Sequence, residues 1–183
     1  MMWLVTGPTC AGKSTLAYGS YRETVIGAPV DVAVAFPSNT ASHRRSRVIY
    51  HYNILRRLSD ARVQQLPVES GEYRNFQADE PWRRLLENRA PKQAMVLVVS
   101  RPLLLERISS RSIIEQHKAS KRRPYPREFW GELLAPLDLN LLYSAWCEEL
   151  REQEIDYQLI DSSDYEYRSM TLAELQGRDL NIA

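Results

Sequence analysis

Gly7, Pro8, Thr9, Cys10, Ala11, Gly12, Lys13, Ser14 and Thr15 read as GPTCAGKST, and they carry the plainest chemistry in the chain. Glycines at both ends let the backbone wrap an anion without a side chain in the way, so that successive N–H groups point inward. A helix opening at Lys13 would add the positive end of its dipole. The lysine ammonium would reach the outer phosphates of a polyphosphate, the Ser14 hydroxyl would be a magnesium ligand, and Thr15 would lie close by. Cys10 reads as a small filler residue within the loop. The spacing is that of a phosphate-binding loop, and the context it needs is present, because the apolar run Met2-Trp3-Leu4-Val5 just before it suits a buried strand.

The elements that must hold such a loop follow along the chain. KSTLAYGSY is predicted to be the first helix, weakened at Gly19 and Ser20. Val30 to Phe36 is valine-rich and closed by Pro37, which predicts a second buried strand. Arg47 to Asn53 could run on into a helix, but Val48, Ile49, Tyr50 and Tyr52 favour a strand through Tyr52. From Asp79, an Asp cap, an early proline and Trp82, Leu85 and Leu86 predict a helix ended by Pro91. Ala94 to Ser100 is the strongest strand signal and leads into a helix capped at Ser100. The polar, basic stretch from Glu115 to Trp130, broken by prolines, reads as a loop or flap. Leu139, Leu142, Tyr143, Trp146 and Leu150 recur at helical spacing behind Asp138, Asp156 to Ile160 makes a last strand, and MTLAEL a short final helix. Five strands alternating with helices imply an α/β fold with a parallel sheet covered on both faces. Ligands in such sheets collect at the carboxyl ends of the strands.

That rule selects HYNILRR, and with it His51, Asn53, Arg56 and Arg57. His51 reads equally well as a packed imidazole and as a catalytic one. Asp31, Asp60 and Asp79 remain open as acidic partners of a metal, and Asp161 follows the last strand. Arg107 and Arg111 stand one helical turn apart, so their guanidinium groups would repel by a few tenths of a kcal/mol unless an anion lies between them, and a phosphate would explain the pair. The cluster His43, Arg44, Arg45 and Arg47 precedes its strand and reads as surface on the far side of the sheet.

Gly7 to Thr15 resembles the Walker A loop of P-loop NTPases, and the order of elements over most of the chain resembles the nucleotide-kinase branch of that superfamily. The resemblance implies a three-layer α/β/α domain over residues 1–183, with a mobile basic lid near 112–130. It implies ATP and Mg2+ as cofactors, with Gly7 to Thr15 holding the nucleotide and Ser14 the metal. The expected activity is transfer of the γ-phosphoryl group to a small-molecule hydroxyl or monophosphate. Lys13, Arg107, Arg111 and His51 are its catalytic candidates, and Asn53, Arg56 and Arg57 its acceptor-binding ones. Lys118, Lys121, Arg122 and Arg123 fit the lid by position. The chain departs from the pattern at Asn53, where P-loop enzymes usually place a carboxylate. Nucleic acid is the second acceptor class, as a hydroxymethylated base or a strand end, with Tyr125, Phe129 and Trp130 as stacking surfaces. A nucleotide-binding module without phosphotransfer is the third reading. A GTPase switch is disfavoured, since neither Asn-Lys-x-Asp nor Asp-x-x-Gly occurs.

Composition sets the outer bounds. A chain of 183 residues, 44% apolar, is enough for one core and short for two. Its 24 basic and 23 acidic residues leave a net charge of +1, which argues against a surface built throughout for nucleic acid. Cys10 and Cys147 are too few for a disulfide framework, and a reducing cytoplasm fits them. No apolar run reaches membrane-spanning length, and the phosphate loop follows the first residues too closely to leave room for a signal peptide.

Overall fold

The computed structural model describes residues 2–29, 32–35, 48–63, 74–89, 91–117, 127–164 and 166–182. Asp31, Ser38, Asn39, the cluster His43 to Arg47, and Lys118, Lys121, Arg122, Arg123 and Tyr125 lie outside the described residues. The chain is mixed α/β around a sheet whose described strands run β2-β3-β1-β4-β5-β6. These are β1 (Met2–Gly7), β2 (Ala33–Ala35), β3 (Val48–Asn53), β4 (Gln93–Val98), β5 (Asp156–Asp161) and β6 (Arg168–Met170). β1 lies centrally, with β3 and β4 parallel on either side, and Gly7 stands opposite Asn53. Trp3, Leu4, Val5, Thr6 and Gly7 are all buried in succession, as are Ala94 to Val98. Neighbouring side chains on a strand point to opposite faces, so such runs mean that both faces are covered.

The helices are α1 (Lys13–Tyr18), α2 (Arg56–Val63), α3 (Glu80–Arg89), α4 (Arg101–His117), α5 (Arg127–Leu134), α6 (Leu139–Glu152) and α7 (Leu172–Gly177). Asp138 caps α6 by accepting from the Leu141 N–H at 3.1 Å. Thr171 and Glu174 form a capping box on α7. Tyr143 pins α6 to the end of β4, its hydroxyl donating to the Leu97 carbonyl at 3.0 Å and accepting from the Val99 N–H at 3.2 Å. Under β3, the rings of Tyr52, Phe76, Trp82 and Trp146 meet at centroid distances of 4.7 to 5.4 Å. That aromatic cluster holds the carboxyl end of β3 against α3 and α6.

Three expectations are corrected. The sheet has a sixth strand, β6, antiparallel to β5 through Leu159↔Met170 and Asp161↔Arg168. Its three residues show no apolar alternation, since only Met170 is buried, and their strand geometry comes from pairing with β5 rather than from their own pattern. The stretch from Glu115 to Trp130 is not loop throughout. α4 continues through His117 and α5 begins at Arg127. Polarity suggested a flap there, but no glycine or proline interrupts the chain between Pro102 and Pro124. Trp130, expected as a stacking surface, is 7% exposed and belongs to the core.

Candidate active site

The phosphate loop leaves the carboxyl end of β1 and reaches α1 through a backbone few side chains tolerate. Gly7, Cys10 and Gly12 have φ of 143°, 60° and 90°. A Cβ at Gly7 would stand 2.7 Å from the Leu97 carbonyl oxygen on β4. Gly7→Ala is therefore expected to cost about 2–4 kcal/mol through strain and collision together, read as a lowered denaturant midpoint at unchanged slope.

Lys13 is buried at the mouth of this loop, and its Nζ donates to the carbonyls of Gly7, at 2.8 Å, and Pro8. Burial lowers its pKa to about 7; Arg111 pushes the same way, and Cys10 opposes. A polyphosphate at the loop would restore the charged form, so nucleotide binding above pH 7 should take up a proton. The predicted result is a binding enthalpy that varies with the ionisation enthalpy of the buffer at pH 8, with an uptake approaching one proton per site, and an affinity that falls as pH rises through 7.

β3 supplies the facing wall. His51 Nε2 lies 3.4 Å from Ser14 Oγ. Burial, then the charges of Lys13 and Arg111, hold the imidazole down at about 3, so it is neutral at physiological pH. Asn53 staples strand to loop, with Nδ2 donating to Thr9 Oγ1 at 2.9 Å and Oδ1 accepting from the Leu55 N–H at 3.1 Å. The amide thus makes a contact that a carboxylate could not donate. Arg56, opening α2, faces Asp79 at 3.4 Å, and Asp79 accepts from the Tyr52 hydroxyl at 2.9 Å. Burial, then the Asp79 charge, pushes the Tyr52 pKa well up, so its proton stays in place.

α4 supplies the remaining cations. Arg107 is buried, and its Nη2 donates to the carbonyls of Ser162 and Ser163 at 2.6 and 2.7 Å. Arg111, one turn on, is exposed and close enough to depress both Lys13 and His51. The segment after β5 also touches the loop, because the Tyr167 hydroxyl donates to the Gly12 carbonyl at 3.0 Å. Nothing in the sequence marked Tyr167, one of two tyrosines in a polar stretch.

These walls enclose a cleft of about 550 Å³ lined by Thr9, Cys10, Gly12, Lys13, Ser14, Thr15, His51, Tyr52, Asn53, Arg56, Pro81, Arg107 and Arg111. Pro8 and Ala11 complete the loop behind this surface. Arg57 is not among the lining residues, and its Nη1 donates to the Asn75 carbonyl at 3.4 Å. Of the acidic candidates, Asp79 stands behind Arg56, and Asp161 pairs with Arg178. Among the described residues no cluster of His, Cys, Asp or Glu could by itself hold a metal ion. Among the described residues, too, no helix is long and apolar enough to cross a membrane.

No family model and no curated protein matches the sequence. Among solved structures the chain is similar to deoxyadenosine kinase from M. mycoides. With dCTP bound, that structure shares 14% identity at a TM-score of 0.47, over 96% of this chain and 94% of that one. With dATP bound, identity is 14% and the TM-score 0.42, over 96% and 95%.

Proposed function

We propose that this chain is an ATP-dependent phosphotransferase that moves the γ-phosphoryl group to a small-molecule acceptor. The observation that carries the reading is the cleft itself, where Lys13 and Ser14 of the phosphate loop, Arg111 of α4, and His51, Asn53 and Arg56 of the β3–α2 corner face one void. A polyphosphate fits the loop, because Gly7, Cys10 and Gly12 turn its backbone through positive φ and a buried ammonium waits there on the carbonyls of Gly7 and Pro8. Ser14 Oγ is the side chain that would hold Mg2+, which would shield the charge between the outer phosphates.

Each residue then has a physical task. Lys13 and Arg111 neutralise charge on the transferring group. Arg107 positions α4 against the turn after β5, and His51 orients the Ser14 hydroxyl. Asn53 fixes the loop through Thr9, and Arg56 serves the acceptor. Arg57, turned to Asn75, is left out of the acceptor set. Residues 1–183 act as one unit. A nucleic-acid acceptor is less favoured, because burial of Trp130 removes one of its stacking surfaces.

The test is to incubate the protein with magnesium and γ-labelled ATP, offer nucleosides, nucleotides, sugars and hydroxymethylated DNA, and separate the label by size. Label on a small molecule is expected. Label on DNA would favour the nucleic-acid reading, and label released only as inorganic phosphate would sink phosphotransfer to these acceptors.

A further inference from the structure

We propose that Tyr167 is a positioning residue for the phosphate loop: its hydroxyl holds the Gly12–Lys13 peptide in the orientation that turns the Lys13 N–H toward a polyphosphate. This rests on the loop's hold on a nucleotide in the reading above. The Tyr167 hydroxyl donates to the Gly12 carbonyl at 3.0 Å, and the same oxygen accepts from the Leu16 N–H at 2.9 Å. Both lone pairs of that carbonyl are therefore in use. A trans peptide points its N–H opposite to its C=O, so whatever fixes the Gly12 oxygen also aims the Lys13 N–H. The oxygen faces along α1, and the N–H faces back into the loop.

The loop needs such a hold from outside. Gly12 precedes α1 with φ of 90° and makes no side-chain cap bond. A serine or aspartate in that place would fasten the chain, but its oxygen would occupy an N–H group that an anion requires. Tyr167 avoids this competition by taking the carbonyl side of the peptide. With only six residues, α1 cannot supply the rigidity by itself.

The tyrosine is anchored well enough for the task. It is 3% exposed, and its φ is 54°, a left-handed backbone that a bulky residue adopts only where its surroundings enforce it. The next residue, Arg168, pairs with Asp161 across the β5–β6 ladder. At the other end of the same turn, Arg107 donates to the carbonyls of Ser162 and Ser163. The Tyr167 ring also lies 5.4 Å from that of Tyr21, just beyond α1, so one side chain touches the chain on both sides of that helix. Tyr167 is not among the residues that line the cleft, and it acts on the ligand through Gly12.

The test is Tyr167→Phe, which keeps the ring and removes the hydroxyl alone. ATP and inorganic tripolyphosphate, each with magnesium, are titrated onto wild type and variant by calorimetry, and transfer from labelled ATP is followed beside them. Kd should rise about tenfold for both ligands, with KM for ATP rising in step and kcat staying within about threefold. Coupling is reciprocal, so saturating tripolyphosphate should also slow amide hydrogen exchange at Ser162, Ser163, Glu166 and Tyr167 in wild type, and not in Tyr167→Phe. A lowered denaturant midpoint with both Kd values unmoved would make Tyr167 merely structural and overturn the inference. A loss for ATP with tripolyphosphate unmoved would put Tyr167 on the nucleoside and overturn it equally. No slowing of exchange in wild type with tripolyphosphate bound would overturn it whether or not the variant folds. Wild type that binds neither ligand would overturn the loop reading and this inference together. The expected rise in both Kd values without transfer to any acceptor would uphold this inference and overturn the phosphotransferase.

Discussion

Lys13→Met is expected to remove phosphoryl transfer, by at least about a thousandfold in kcat, while leaving the protein folded and at neutral pH no less stable than wild type. The first half follows from position, since Lys13 is the ammonium at the mouth of the phosphate loop. The second follows from burial. An amine whose native pKa sits at about 7 instead of 10.5 is being charged at a cost. Between those values the unfolded chain binds more protons than the native one, so wild-type stability rises with pH across that window and is lost again as pH falls through 7. Methionine fills similar space with nothing to ionise, so the variant should lose that part of the slope. Denaturant melts at pH 6 and pH 9, run beside a turnover assay, read both halves. Undiminished turnover in a folded variant would remove Lys13 from the mechanism.

Arg111→Met is the second large effect, expected to lower kcat by roughly a hundredfold to a thousandfold with a much smaller change in ATP binding. Arg111 stands on α4, away from the loop backbone that carries most of the hold on a nucleotide, and faces the cleft from the opposite wall. Its charge also lowers the pKa of Lys13 and of His51, so removing it raises both. The pH at which ATP affinity begins to fall should therefore move up in Arg111→Met. A fall in ATP affinity as large as the fall in kcat would instead make Arg111 a ground-state anchor.

Much of this arrangement was legible in the residues. Gly7, Gly12 and Lys13 at their spacing, after Met2 to Val5, determine both the loop and the strand that carries it. The β-branched and aromatic residues Val48, Ile49, Tyr50 and Tyr52 choose strand over helix, and a parallel strand beside β1 delivers His51, Asn53 and Arg56 to the loop. What was hidden depends on tertiary contacts. β6 exists because β5 offers an edge. Arg107 and Arg111 look alike in sequence, but the carbonyls of Ser162 and Ser163 take up the first and leave the second exposed at the cleft. Asp79 read as a helix cap, and only the fold brings Tyr52 and Arg56 to its carboxylate. Tyr167 reaches Gly12 across 155 positions of sequence, a distance no local pattern can span.

The central claim is transfer of a phosphoryl group from ATP to an acceptor in this cleft, and phosphorus NMR of one reaction mixture tests it most directly. With ATP, magnesium, protein and the acceptor pool present, the ATP γ resonance should decline as ADP appears together with a new resonance. That resonance should belong neither to ADP nor to inorganic phosphate. In the same mixture Lys13→Met should leave ATP intact. A γ signal replaced only by inorganic phosphate, or unchanged over the full course with the wild-type protein, would contradict the account.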